Sequence, residues 1–96
     1  MVKNNVKASI LVPVLNEGDF IENCLLSIIS KTKNISEMEV LVIDGGSEDQ
    51  TLNIVKDLIK KYPFIKLLHN PKKITPSALN IGIENAKGKY IIRLDA

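Results

Sequence analysis

The residues of this 96-residue chain best suited to chemistry are polar groups that close apolar runs. Val40-Leu41-Val42-Ile43 ends in Asp44, and Tyr90-Ile91-Ile92-Arg93-Leu94 ends in Asp95. Ile10-Leu11-Val12-Pro13-Val14-Leu15 ends in Asn16-Glu17. Each run reads as a buried strand that delivers a polar group to its carboxyl end. In an open α/β sheet, ligands bind in the crevice outside those ends. A carboxylate at Asp95 suits a hard divalent cation, which binds through one or two carboxylates plus substrate phosphates. Asp44 ends a buried strand, where a charge is costly without partners. It is therefore expected to be at least partly buried and hydrogen-bonded. Asn70-Pro71-Lys72-Lys73 reads as a turn bringing two cations near the same edge.

Structural explanations compete at several of these positions. Pro13 to Glu17 also reads as a strand end and helix cap, and Ser47 with Asp49 as a helix-capping turn. His69, the single histidine, is either a solvated loop residue or a group at the ligand edge. Lys60-Lys61 reads as solvated surface. Other chemistries are excluded. There is no G-x-x-x-x-G-K-[ST] for a P-loop and no G-x-G-x-x-G after the first strand. No Ser-His-Asp set is evident. Cys24 is the only cysteine, which excludes an internal disulfide and a cysteine metal cluster. Its helical spacing with Phe20, Ile21, Leu25 and Ile28 reads as a buried structural thiol. A net charge of +2 is too small to argue for nucleic acid. No apolar run approaches the ~20 residues of a membrane span. Met1 to Asn5 leads into a strand without a signal-peptide core. A cytoplasmic location is expected, or the cytoplasmic face of the membrane through regions outside these residues.

The elements that must position these groups alternate. Strands are expected at about Ala8 to Leu15, Glu39 to Ile43, Ile65 to Leu68 and Tyr90 to Leu94. Helices are expected at about Asp19 to Lys31, Glu48 to Lys61 and Pro76 to Lys87. The first helix presents Phe20, Ile21, Cys24, Leu25, Ile28 and Ile29 on one face. The second presents Leu52, Val55, Leu58, Ile59 and Tyr62. Ser47 followed by Gln50 reads as a capping box, with Glu48 and Asp49 in the first helical turn. Thr75-Pro76 reads as N-cap and first helical position, and Gly88 as a helix stop. Gly45-Gly46 supplies unusual backbone angles for a tight turn. Strands alternating with helices of this length imply right-handed crossovers and a parallel sheet. The expected order is 3-2-1-4, in one α/β domain spanning 1–96. The crevice then opens between strands one and four, flanked by Asn16-Glu17 and Asp95, with Asp44 one strand over.

Four segments in this order and spacing resemble glycosyltransferase family 2. They are Pro13-Val14-Leu15-Asn16-Glu17, Val42-Ile43-Asp44-Gly45-Gly46-Ser47-Glu48-Asp49-Gln50-Thr51, Ala78-Leu79-Asn80-Ile81-Gly82-Ile83, and Gly88-Lys89-Tyr90-Ile91-Ile92-Arg93-Leu94-Asp95. The likeness runs from Ala8 onward and looks closest to members that build bacterial polysaccharides. It implies a three-layer, Rossmann-like half of the GT-A fold, with helices on both faces of the sheet. It implies an inverting transfer of a hexosyl group from a nucleotide-diphosphate sugar, UDP-sugars favoured, to a saccharide or lipid-linked acceptor. Mg²⁺ or Mn²⁺ is the implied cofactor, with Asp95 as metal ligand. The implied donor-binding residues are Pro13, Val14, Leu15, Asn16, Glu17, Asp44, Gly46, Ser47, Lys73 and Asp95. Within that set, Pro13 to Glu17 would border the nucleoside and Asp44 would touch base or ribose.

Two departures follow from the same resemblance. The family commonly carries a second aspartate where this chain has Gly45, and that residue usually contributes to nucleobase recognition. The family's Asp-x-Asp motif would begin at Asp95, with its second acid beyond Ala96. The chain is thus expected to be the donor-binding part of a longer enzyme, without the general base. It is expected to be inactive alone and to self-associate through an apolar face. Two rival readings are a non-catalytic nucleotide- or phosphate-binding α/β module and an α/β fragment without a ligand.

Overall fold

A computed structural model describes residues 6–95; Met1 to Asn5, including the expected lead-in to the first strand, and Ala96 lie outside the described residues. The chain alternates β1 (Ala8–Val14), α1 (Ile21–Lys31), a short 3-10 turn (Ile35–Glu37), β2 (Met38–Asp44), α2 (Thr51–Lys61), β3 (Ile65–His69), α3 (Thr75–Asn85) and β4 (Tyr90–Arg93). All strand pairs are parallel and the order is β3-β2-β1-β4, as expected. Ala8 pairs with Met38 and Val14 with Asp44, so β1 and β2 end level with each other.

The two central strands are apolar through their middles, Ile10–Val14 and Val40–Ile43, because both of their faces are covered there. Ile10, Val12, Val14, Val40 and Val42 pack on Ile21, Leu25 and Ile28 of α1 and on Val55 and Leu58 of α2. Leu11, Leu41 and Ile43 face the other way, onto Ala78 of α3. The result is three layers, with α1 and α2 on one side and α3 on the other. Helix α3 sits close to the sheet because Gly82 has no side chain. A Cβ there would lie 2.9 Å from both Leu11 δ carbons. Among the described residues, no helix is long and apolar enough to cross a membrane.

Several local expectations are corrected. Helix α2 starts at Thr51, not Glu48, with Gln50 at the N-cap and no side-chain cap bond. The Ser47 hydroxyl is engaged with Asp44 instead, so no capping box forms. Ile74, not Thr75, is the N-cap of α3, and α3 ends at Asn85. Gly88 is needed for space and not as a helix stop: a Cβ there would meet the Ser9 nitrogen at 2.5 Å. Phe20 is 62% exposed because it precedes α1 and lies off its inner face. Strand β4 is not buried. It pairs with β1 alone among the described strands, leaving Tyr90, Ile91, Ile92 and Leu94 exposed. Cys24 is half-buried beside β4, not fully buried, and burial followed by the charge of Glu17 pushes its thiol pKa up.

A buried acid ties the amino end of the sheet together. Glu39, 2% exposed, accepts a 2.6 Å bond from the Ser9 hydroxyl and a 2.6 Å bond from the Lys87 amide. Lys66 on β3 approaches its other oxygen at 3.4 Å. Ser9 in turn accepts from the Gly88 amide at 2.8 Å. One carboxylate thereby links β1, β2, β3 and the α3–β4 connection. Burial pushes its pKa up, but the bonds from Lys87, Ser9 and Lys66, with the charge of Lys66, outweigh burial and hold it below the usual range. A carboxyl lowered on folding stabilises above its unfolded pKa, and that contribution is lost as pH falls through the folded value. Glu39→Ala strands the buried Ser9 hydroxyl and the part-buried Lys87 amide and is expected to cost about 2–3 kcal/mol at neutral pH. Urea melts of variant and wild type should converge as the pH is lowered below the ordinary carboxylate range.

Candidate donor-binding crevice

The crevice lies beyond the carboxyl ends of β1 and β2, on the α3 side of the sheet. It encloses about 250 Å³ and is lined by Pro13, Val14, Leu15, Glu17, Ile43, Gly45, Asn70, Lys73, Ile74, Thr75, Ala78 and Asp95. Its wall starts from a backbone problem. Strand β2 ends in Asp44, whose side chain is 3% exposed. A carboxylate so buried needs donors, and the chain turns back sharply to provide them. The Gly46 and Ser47 amides bond one oxygen at 2.8 and 2.9 Å, and the Ser47 hydroxyl bonds the other. The turn requires φ +100° at Gly46, a conformation that favours glycine.

The same turn captures the loop after β1. Ser47 Oγ accepts from the Asn16 amide at 2.8 Å, while Asn16 Oδ1 accepts from the Glu48 amide at 2.8 Å. Asn16 holds φ +53°, which asparagine tolerates better than most residues. The Glu17 amide bonds Thr51 Oγ1 at 2.9 Å, and the Gly18 amide bonds Asp49 Oδ2 at 3.0 Å. Four bonds thus fasten two loops that are some thirty residues apart in sequence. Asp49 also accepts from the Thr51 hydroxyl and, at 2.9 Å, from the Thr51 amide.

Of the ten expected binding residues, Pro13, Val14, Leu15, Glu17, Lys73 and Asp95 line the crevice together. Asn16, Asp44, Gly46 and Ser47 do not; they build the wall behind it. Asp44 meets the expectation of burial and hydrogen bonding, and its oxygens are already engaged by its own turn. His69 pairs in register with Asp44, is exposed, and lines with Asp44, Leu52 and Lys56 a second pocket on the α2 side, apart from the crevice. Asp95 projects from the end of β4 with its side chain 70% exposed, and one oxygen sits 3.3 Å from both Nε and a terminal nitrogen of Arg93. So exposed a pair contributes little and leaves the carboxylate available. Sequence reasoning did not single out Ile43, Gly45, Asn70, Ile74, Thr75 or Ala78 as crevice residues. Only their nearness to the strand ends could have found them.

The sequence matches the model of the family described as "Glycosyl transferase family 2" over residues 9–96. A dolichyl N-acetyl-alpha-D-glucosaminyl phosphate 3-beta-D-2,3-diacetamido-2,3-dideoxy-beta-D-glucuronosyltransferase of Methanococcus voltae is 38% identical over 86 residues, which cover 88% of this chain and 27% of that protein. A mannosyltransferase from Pyrobaculum calidifontis, solved with GDP-Man and Mn²⁺, superposes with a TM-score of 0.85 at 26% identity, covering 93% of this chain and 27% of its own. S. aureus TarS 1-349 in complex with UDP gives a TM-score of 0.80 at 28% identity, with coverages of 94% and 27%. The chain spans about a quarter of the length of the curated relatives it matches.

The bonds of Asp49 carry a pH dependence. The Thr51 hydroxyl, then the Thr51 amide, with a further contribution from the Gly18 amide, hold its carboxyl below the usual range. Bonds to a carboxylate of lowered pKa persist above that value and are lost as pH falls through it. The amide resonances of Gly18 and Thr51 should therefore move together in an acid titration, with one midpoint below the ordinary aspartate range. Asp49→Asn should remove that titration from both. Different midpoints for the two amides would show that the loops are not joined through Asp49.

Proposed function

The chain belongs to glycosyl transferase family 2, and we propose that it forms the donor-binding part of an inverting enzyme that uses a nucleotide-diphosphate sugar. The observation that carries this reading is the composition of the crevice. Lys73 is the one cationic side chain among its lining residues, and it shares the space with the carboxylates of Glu17 and Asp95. A nucleoside diphosphate needs an apolar shelf, a cation for the phosphates and an acid for a phosphate-bound metal ion. Pro13 and Leu15, with the backbone at Val14, give the shelf, Lys73 the cation and Asp95 the acid.

In this reading Pro13 to Glu17 border the nucleoside. Asn16, Asp44, Gly46 and Ser47 hold that border in shape by the bonds between the two loops. The ring at Pro13 limits how deep a base can sink. Lys73 faces the phosphates and offsets their charge before any metal arrives. UDP-sugars are the favoured donors, with GDP-sugars next, and the acceptor is a saccharide or a lipid-linked saccharide in polysaccharide assembly.

The residues present fit a divalent cation only in part. Asp95 offers a hard, accessible oxygen, which suits Mg²⁺ or Mn²⁺. Among the described residues no group of three or more acidic, histidine or cysteine side chains is placed to hold a metal. Asp95 would therefore share the ion with the diphosphate of the donor. When bound, such an ion stabilises the charge that develops on the leaving diphosphate. The exposed side chains of Tyr90, Ile91, Ile92 and Leu94 support a tendency of this chain to self-associate.

Calorimetric titration with UDP and GDP, with and without Mn²⁺, tests the proposal. Binding strengthened by Mn²⁺, and a loss of that gain in Asp95→Ala, is the expected result. Mn²⁺ alone should show no tight site. Lys73→Ala should weaken diphosphate binding roughly ten-fold whether or not metal is present. Binding that ignores Mn²⁺ would favour a plain nucleotide- or phosphate-binding module, and no binding would reject the crevice as a nucleotide site.

A further inference from the structure

The turn between β3 and α3 has an unusual centre. Its residues are largely exposed, yet Asn70 is 2% exposed. The Asn70 amide bonds the Asp44 carbonyl at 2.7 Å, which fixes the turn to the end of β2. Its side-chain Nδ2 bonds the Ile74 carbonyl at 2.9 Å, and Oδ1 accepts from the Lys72 amide at 3.2 Å. Its own carbonyl accepts from the Lys73 amide at 3.3 Å. One buried side chain therefore spans the loop and draws its two ends together.

The consequence falls on Lys73. The loop curls so tightly that Lys73 adopts φ +64°. Glycine or asparagine would hold that conformation with less strain. A turn needed only to reverse the chain has no use for a lysine there, and strain of this kind gathers at functional sites. The curl also presses Lys73 onto the glycine pair of the next loop. A Cβ on Gly45 would lie 3.3 Å from Lys73 Cα, and one on Gly46 would lie 3.4 Å from Lys73 Cε and 3.8 Å from Nζ. The lysine stem thus lies across bare backbone, with its ammonium beside the β2–α2 turn at the crevice wall.

We infer that Asn70 is a positioning residue for the donor diphosphate, acting through Lys73, and that Gly45 and Gly46 form the berth along which the Lys73 side chain is held. This inference rests on the nucleotide-sugar reading of the crevice. A lysine is a flexible point charge, and holding it in advance lowers the entropy lost when it meets a phosphate. Asn70 touches the backbone on both sides of Lys73, while Gly45 leaves room for its Cα. The charge is thereby aimed at the phosphates and not at the nucleoside.

Calorimetry with UDP and uridine on this chain separates the alternatives. The variants are Asn70→Ala, Lys73→Ala, the double variant and Gly45→Ala. Asn70→Ala should weaken UDP binding on the order of ten-fold and leave uridine binding within about two-fold. In the Lys73→Ala background, Asn70→Ala should add nothing, because the two act as one unit. Gly45→Ala keeps the Asn70 side chain but crowds the Lys73 backbone, so it should repeat the selective loss; it carries the test if Asn70→Ala does not fold. Equal losses for UDP and uridine, additive losses in the double variant, or no loss in either single variant would overturn the inference. A wild-type chain that binds neither UDP nor GDP would overturn the nucleotide-sugar reading itself, and this inference with it. Wild-type UDP binding that Asn70→Ala and Gly45→Ala leave unchanged would overturn the inference alone.

Discussion

The crevice depends on how one buried charge is satisfied. Asp44 ends β2 almost without solvent contact, and an ionised carboxyl in that position is tolerated only with donors around it. The donors come from the next three residues, so the backbone must fold back at once and pass through a conformation that favours glycine at Gly46. Ser47 is then fixed with its hydroxyl donating to Asp44, which leaves its lone pairs free for the Asn16 amide. From there the β1 loop is set, and with it Leu15 and Glu17 at the crevice mouth. The Asp44 carbonyl takes the Asn70 amide as well, so the third loop is registered against the same residue. Three loops from three strands are positioned by one side chain and its backbone.

The sheet beneath is clamped at both ends by acids of β2 that face opposite ways. Glu39 lies on the same face as Leu41 and Ile43 and collects Ser9, Lys66 and Lys87 at the amino end. Asp44 lies on the face of Val40 and Val42 and organises the carboxyl end. Apolar packing between them fixes the layers but has little directional preference. The hydrogen bonds of the two acids add directional ties at the two ends of the sheet. The chain thus separates the tasks: Glu39 serves stability away from the crevice, and Asp44 serves shape at it.

The order of the strands was legible in the residues because right-handed crossovers leave few topologies for alternating strands and helices. The carboxyl-end cluster was legible for the same reason, since parallel strands put all such ends on one edge. The start of α2 was not. Ser47-x-x-Gln50 fits a capping box, but Asp44-x-x-Ser47 fits a carboxylate-centred turn equally well, and only the burial of Asp44 decides between them. Strand β4 was misjudged because an apolar run reports affinity for a core and not whether neighbours are there to cover it. The turn that begins at Asn70 was read for its two cations, and the burial of Asn70 was missed because a buried asparagine in a polar turn has no periodicity. Its partners are backbone groups, which leave no mark in the side-chain pattern.

Gly45 shows how these layers of constraint meet in a single position. Its amide bonds the Val14 carbonyl at 2.9 Å and extends the β1–β2 pairing one step past Asp44. Its missing side chain admits the backbone of Lys73, which the Asn70 turn pushes toward it. A side chain at this point would press its Cβ against the Lys73 backbone, which would have to give by a few tenths of an ångström. The family resemblance places an acidic residue at this position in other members. An acid here would crowd Lys73 and bring a negative charge close to its ammonium. A glycine at 45 and a lysine held at φ +64° at 73 therefore form one arrangement, in which the crevice carries its positive charge on the β3–α3 turn and not on the strand that ends in Asp44.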